Sequence, residues 1–436
     1  MMELLPLEQR SLSTPMAAIR KTRTFVSDSR RMVLPAAILL LFAANGIATS
    51  QTAQSGAKPT QSSTQASAQF QSLSKRAMEA LDSDKLKESI PLFRKALTLN
   101  PRWVEGWWSL GTAYYDQDSY AEAELAFQRV VALDPQHGTA HAFLGLCEFE
   151  LGDDKAALHD IEASKDLGTN VDPQLRDVVF YHEGVLLQRA GRFVAAEKPF
   201  ASLCEENGGG GDVVRAFGMT ALRMRDRKFP AAGSEAAAVS EQVGRAACAA
   251  AQKNYDSARA QFTSIEGAYP HFPYVHYVFG RVLIDAQDLP GAIVEFKREI
   301  DEGHDRVLPM LQIAAADYKV DPATGLTYAQ QAVALAPQLP FAHYLLGLLL
   351  ANTGAEPKAI PELEIARKAF PDDMRIYWSL ATAYARVGRT QDAAKARAEI
   401  ARIYKKTAPR EEGAIPSEQQ DAPIHVTDTA AQGPKN

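Results

Sequence analysis

Apolar side chains return every three or four positions through most of this chain, in stretches separated by short polar turns. Trp107, Leu110, Gly111 and Tyr114 stand at i, i+3, i+4 and i+7, one face of a helix. A turn at residues 116–119 follows, and then a second helix with Ala123, Phe127 and Val130 on one side. Gly111 and Ala123 are small where two helices cross closely, Phe127 fills the space beside them, and Pro135 stops the second helix. A hairpin of this kind cannot bury its apolar face alone, so the pattern predicts stacking on copies of itself.

The copies are present. Pro101 and Pro135 are 34 residues apart, as are Pro337 and Pro371. Small residues keep the same interval in Gly111 and Gly145, Gly184 and Gly218, Ala246 and Gly280, Gly347 and Ala381. The unit at 104 resembles the tetratricopeptide repeat, a helix–turn–helix module of about 34 residues. Units at 138 (Leu144, Gly145, Ala157, Ile161), 177 (Gly184, Ala196, Phe200), 273 (Gly280, Ala292, Phe296), 340 (Leu346, Gly347, Ala359, Leu363) and 374 (Leu380, Ala381, Tyr384, Ala393) keep the pattern. Weaker copies begin near 70, 239 and 306.

The resemblance covers residues 69–404 and implies an all-α fold, a right-handed superhelical solenoid of nine or ten helix–turn–helix units. Residues 211–238 keep a first helix around Gly218, but their second helix falls short by about six residues. With four glycines just before it at 208–211, this stretch is expected to be a joint between lobes at 69–210 and 239–404.

Composition adds the flanks. Residues 51–68 are mostly Gln, Ser, Thr and Ala with almost no apolar mass and read as a disordered linker, as does the tail at 405–436. Residues 32–44 are thirteen apolar side chains directly after Arg30 and Arg31, with Ala48, Thr49 and Ser50 ahead of Gln51. This order predicts a signal peptide over residues 1–50 and an exported chain, periplasmic or secreted. The alternative is an uncleaved inner-membrane anchor at residues 32–48, a run shorter than the ~20 apolar residues of a spanning helix. The net charge of −6 becomes −9 without residues 1–50, which argues against a nucleic-acid binder.

The search for chemistry finds no catalytic, cofactor or metal set. His182-Glu183 begins a zinc-protease string, but Leu186 stands where the second histidine belongs. His137 and His141 have helical spacing, yet His137 falls in a turn. His141, His276 and His343 all occupy the repeat position of Trp107, which reads as a packing choice. The glycine run lacks the Lys-Ser or Lys-Thr of a phosphate loop. Cys147, Cys204 and Cys248 read as small buried hydrophobes, with a Cys204–Cys248 bridge as the alternative in an oxidising compartment.

The resemblance implies a protein or peptide partner lying along the first helices of the repeats, in a concave groove. Trp108, Tyr115, Tyr181, Tyr274, Tyr277, Phe341, Tyr344 and Trp378 fall at groove positions and form the expected partner-binding set. Rigid rings offer large contact area at small conformational cost. The family's lysine–asparagine–arginine clamp for terminal carboxylates is incomplete here: Lys75, Arg281 and Arg375 match single positions, with no asparagine in frame. The expected function is a non-enzymatic interaction scaffold or assembly factor of the bacterial cell envelope. The second expectation is an inner-membrane adaptor of the same fold, and the third, remote, is an enzyme or its regulatory array.

Overall fold

A computed structural model describes residues 61–167 and 173–407, which form nineteen helices and no strand. The expected signal peptide or anchor and nearly all of the C-terminal tail lie outside the described residues. No described helix is long and apolar enough to cross a membrane. The chain divides into two compact units, residues 1–186 and 187–436.

In the first unit, consecutive helices pack as hairpins: α1 (Gln61–Asp82) with α2 (Leu86–Leu99), α3 (Val104–Tyr115) with α4 (Tyr120–Leu133), and α5 (Gly138–Leu151) with α6 (Asp154–Asp166). The next helix, α7 (Pro173–Arg189), contains the division between the units. Residues 61–68, expected as linker, are the opening turns of α1. Their Gln, Ser and Ala residues contain no helix breaker after Pro59, so the helix anchored by buried Ala77 extends back through them.

The second unit holds α8 (Phe193–Asn207), α9 (Gly211–Ala221), α10 (Glu235–Ala251), α11 (Tyr255–Ala268), α12 (Val275–Asp285), α13 (Leu289–Glu302), α14 (Val307–Val320), α15 (Pro322–Leu335), α16 (Pro340–Asn352), α17 (Glu356–Ala369), α18 (Met374–Arg386) and α19 (Thr390–Thr407). From α12 onward the helices pair as regular hairpins. Their starts are fixed locally: Asp288, Asp321 and Asp373 cap α13, α15 and α18 by accepting from the backbone amides of Gly291, Thr324 and Arg375.

One packing rule runs through both units. A Cβ on Gly111, Gly145, Gly280 or Gly347 would come within 2.5–2.9 Å of Phe127, Ile161, Phe296 or Leu363 respectively. In each case the missing side chain on a first helix seats a large one on the second. Those four large residues are almost completely buried, so the two small-residue and large-residue combs of the sequence are the two sides of one contact.

Residues 222–234 hold turns, and no shortened second helix forms there. Four cations among residues 223–228 leave no apolar stripe, and Pro230 and Gly233 follow. Without that helix α9 packs directly on α10. A Cβ at Gly218 would run into the Ser240 carbonyl oxygen, and one at Gly244 into that of Val214. The division at 186/187 therefore leaves residues 187–210 with the second unit. Two cross-links tie them there: Cys204 on α8 is disulfide-bonded to Cys248 on α10, and Glu197 on α8 pairs with Arg281 on α12.

Candidate partner-binding site

The eight aromatic residues expected in the groove separate by burial. Tyr115, Tyr277, Phe341 and Tyr344 are interior, with Tyr277 only 1% exposed. Tyr115 packs edge-on to Phe143 at 5.2 Å in the first unit. Phe341 and Tyr344 lie 5.9 Å apart in the second. Large rings at these positions fill the space between successive repeats, which removes these four from a surface that a partner could reach in the closed array.

Trp108, Tyr181 and Tyr274 are half-buried. Trp108 stacks on His137 at 5.1 Å and meets Phe143 edge-on at 5.5 Å. Tyr181 lies edge-on to His182 at 5.3 Å. Tyr274 has φ +68°, a backbone conformation that carries it into α12. Its amide donates to Glu299 Oε1 at 3.0 Å, and its ring lies 6.3 Å from Tyr277. Trp378 on α18 is 58% exposed, the most accessible of the eight.

The three residues matching single clamp positions are already engaged. Arg281 forms a two-pronged pair with Glu197 at 2.6 and 2.7 Å. Arg375 donates to Asp373 through Nε and Nη2, the latter at 2.6 Å, and lies over the Tyr344 ring. Lys75 stands 3.9 Å from Glu79 on the exposed side of α1. In Arg281 and Arg375 the carboxylate that an external ligand would bring is supplied by the chain itself.

The recurring repeat-position residue has a definite job. Trp107 Nε1 and Tyr377 Oη donate to the carbonyls of Pro101 and Pro371, at 2.8 and 2.9 Å. His343 Nε2 makes the same bond to Pro337 at 3.0 Å. The histidines add a carboxylate from the partner helix: His141 with Asp160 at 2.6 Å, His276 with Glu295 at 2.8 Å, and His343 with Glu362 at 2.5 Å. All three acids lie nineteen positions after their histidine. That interval is the sequence signal for these pairs.

His276 differs from the other two by a second acid. Glu266 Oε1 is also 2.8 Å from its Nδ1, so Glu266, His276 and Glu295 offer three converging donor atoms of the kind that hold a metal ion. Arg298 stands 2.9 Å from Glu295 and 3.9 Å from Glu266. Burial would depress the His276 imidazole, but hydrogen bonds and attraction from the two carboxylates outweigh it and push it up to about 10. Two carboxylates are thus matched by His276 and Arg298, and the cluster balances its charge with protein groups alone.

The other candidates resolve into structure. His182 Nδ1 donates to the Val178 carbonyl at 2.7 Å, and Glu183 accepts from Lys165 at 2.5 Å. Buried Glu148 has its carboxyl pushed up to about 8, first by burial and then by Asp160 beside it. Cys147 is a buried free thiol, as expected for a small hydrophobe, whereas Cys204 and Cys248 take the bridged alternative.

The profile of the tetratricopeptide repeat family matches residues 74–137, 109–167 and 357–406. No curated protein matches the chain. Among solved structures, MamA is similar at 22% identity over 38% of this chain and 96% of that one, with a TM-score of 0.36. A tetratricopeptide repeat protein from Parabacteroides merdae ATCC 43184 is similar at 14% identity over 65% and 99%, TM-score 0.30. Yeast Tom70 is similar at 12% identity over 77% and 84%, TM-score 0.32. With its hairpin repeats, their shared small-to-large contacts and three profile matches, the chain carries tetratricopeptide repeats, whose arrays are in general protein-interaction scaffolds.

Proposed function

We propose that this chain is a non-enzymatic scaffold or assembly factor of the bacterial cell envelope, holding a partner protein along the first helices of its repeats. The observation that carries the reading is Trp378. It is a large rigid ring at a first-helix position, left 58% exposed where the other seven rings of the expected set are buried or half-buried. The Cys204–Cys248 bridge supports an oxidising compartment, in accord with the signal-peptide pattern before residue 51.

The test is affinity purification of the tagged chain from the envelope fraction of its host, as wild type and as Trp378→Ser. A protein recovered in stoichiometric amount with the wild type and lost with the variant supports the reading. A chain recovered alone, or found in the cytosol with three reduced cysteines, contradicts it. N-terminal sequencing of the same sample separates the exported form from the anchored adaptor, since a start near Gln51 removes residues 32–48.

A further inference from the structure

The turns that stand in place of a second helix are strongly cationic. Residues 222–230 carry Arg223, Arg225, Arg227 and Lys228 against the single acid Asp226, in a chain of net charge −6. They are fastened to the end of α7. Gln188 Nε2 donates to the Met224 carbonyl at 2.5 Å, and Arg189 Nη2 to the Arg227 carbonyl at 3.4 Å. The Arg225 guanidinium lies flat on Gly191, where φ is +77° and a Cβ would have no room. Arg225 also lies 5.7 Å from the Phe193 ring, so two cations of the turn meet over it.

Arg223 is the innermost of these groups. Its guanidinium lies 5.4 Å from the Phe193 ring and 5.3 Å from that of Tyr277, and Nη2 donates to Tyr277 Oη at 3.3 Å. Its Nε is buried without an acceptor, and its backbone takes φ +56°. Arg223, Arg225 and Lys228 form no ion pair among the described residues. Elsewhere in the same unit Arg245, Arg259, Arg298, Arg367, Arg386 and Arg402 each hold a carboxylate. Arg223, Arg225 and Lys228 depart from that pattern.

We propose that this arginine-lined turn docks an acidic segment of a partner protein. Exposed Arg225 and Lys228 receive its carboxylates, and Arg223 adds positive charge behind them. Guanidinium forks match carboxylates in a two-pronged geometry, and a bound anion lowers the repulsion among clustered cations. A short acidic segment suits the site better than a nucleic acid. The local field acts within about 10 Å at moderate salt, while an extended polyanion would also meet the acidic remainder of the chain. The proposal rests on the scaffold reading and names the chemistry of one partner segment.

The test uses the full chain and a short fluorescein-labelled peptide of alternating glutamate and leucine, followed by anisotropy at low salt. Saturable binding is expected. Arg225→Glu with Lys228→Glu should weaken it by about tenfold or more. Lys87→Glu with Lys95→Glu makes the same change in net charge at exposed sites on α2, and should stay within about twofold. Arg225→Gln with Lys228→Gln, which introduces no new acid, should fall between the two. Three results overturn the proposal: no saturable binding up to about 1 mM, equal losses in the two charge-reversed pairs, or displacement of the peptide by an oligothymidylate at lower concentration than the peptide itself requires. Failure here with partner capture through Trp378 intact would remove the arginine turn alone. Loss of capture with peptide binding intact would remove the scaffold reading instead.

Discussion

Arg281 on α12 reaches Glu197 on α8, 84 positions earlier, with both guanidinium prongs on both carboxylate oxygens. Neither side chain is more than 27% exposed. The Arg281 guanidinium loses hydration there, but the Glu197 charge outweighs that loss and holds it firmly protonated. Removing one partner leaves the other charge in a poorly hydrated place, at a cost of about 3 kcal/mol. Arg281→Met should therefore lower the urea midpoint markedly, and adding Glu197→Leu should restore much of the loss. A double variant as unstable as the sum of the single ones would show that the pair is not what these residues contribute.

The disulfide between Cys204 and Cys248 spans 44 positions and closes a loop around α9 and the arginine turn. A loop of that length corresponds to about 4 kcal/mol of lost unfolded-state entropy. Thiol titration of the denatured, unreduced protein should find one free cysteine, Cys147, and three after reduction. Reduction should lower the unfolding midpoint of the second unit while leaving the first nearly unchanged, as expected for a repeat array held together by neighbour contacts.

Two buried groups set the response to alkali. His276 titrates at about 10 in the folded chain against an ordinary 6.5, so its contribution is complete below about 6.5 and is lost as pH rises towards 10. Glu148, raised from 4.5 to about 8, has the same sign, and its contribution is lost as pH rises from 4.5 to 8. Stability measured by urea should fall between pH 7 and pH 10. His276→Ala should start lower and fall less. Glu148→Gln should gain on the wild type as pH rises from about 4.5 to about 8, and no further above it.

Gly218 and Gly244 are where α9 and α10 meet in the absence of an intervening helix. Because the obstacle to a Cβ is backbone carbonyl oxygen, Gly218→Ala should cost about 3 kcal/mol or more in thermal or urea unfolding. Gly208 has open space and φ +77°, so Gly208→Ala should cost only about 1 kcal/mol. Equal losses at the two positions would contradict the close crossing.

The repeat was legible because its period is written in residues with one job each. Gly111 and Phe127, or Gly347 and Leu363, are small and large for a single contact, and that contact recurs. The candidate surface was less legible. Trp378 and Tyr277 occupy equivalent positions in their repeats, yet one is exposed and the other wholly buried. What separates them is the neighbours: Arg223 and Gln312 close over the Tyr277 hydroxyl from elements 54 and 35 positions away. A period places a residue on a face, but it does not say what covers that face. The end of the first unit was misplaced for a similar reason, since the cross-links through Glu197 and Cys204 join residues with no shared pattern.

The most direct test of the scaffold reading is site-specific photo-crosslinking in the native host, with the probe at Trp378 on a first helix and a control at Leu125, 63% exposed on a second helix. The account predicts one discrete protein captured from Trp378 and not from Leu125. Equal capture from both positions, or none from Trp378, would contradict it.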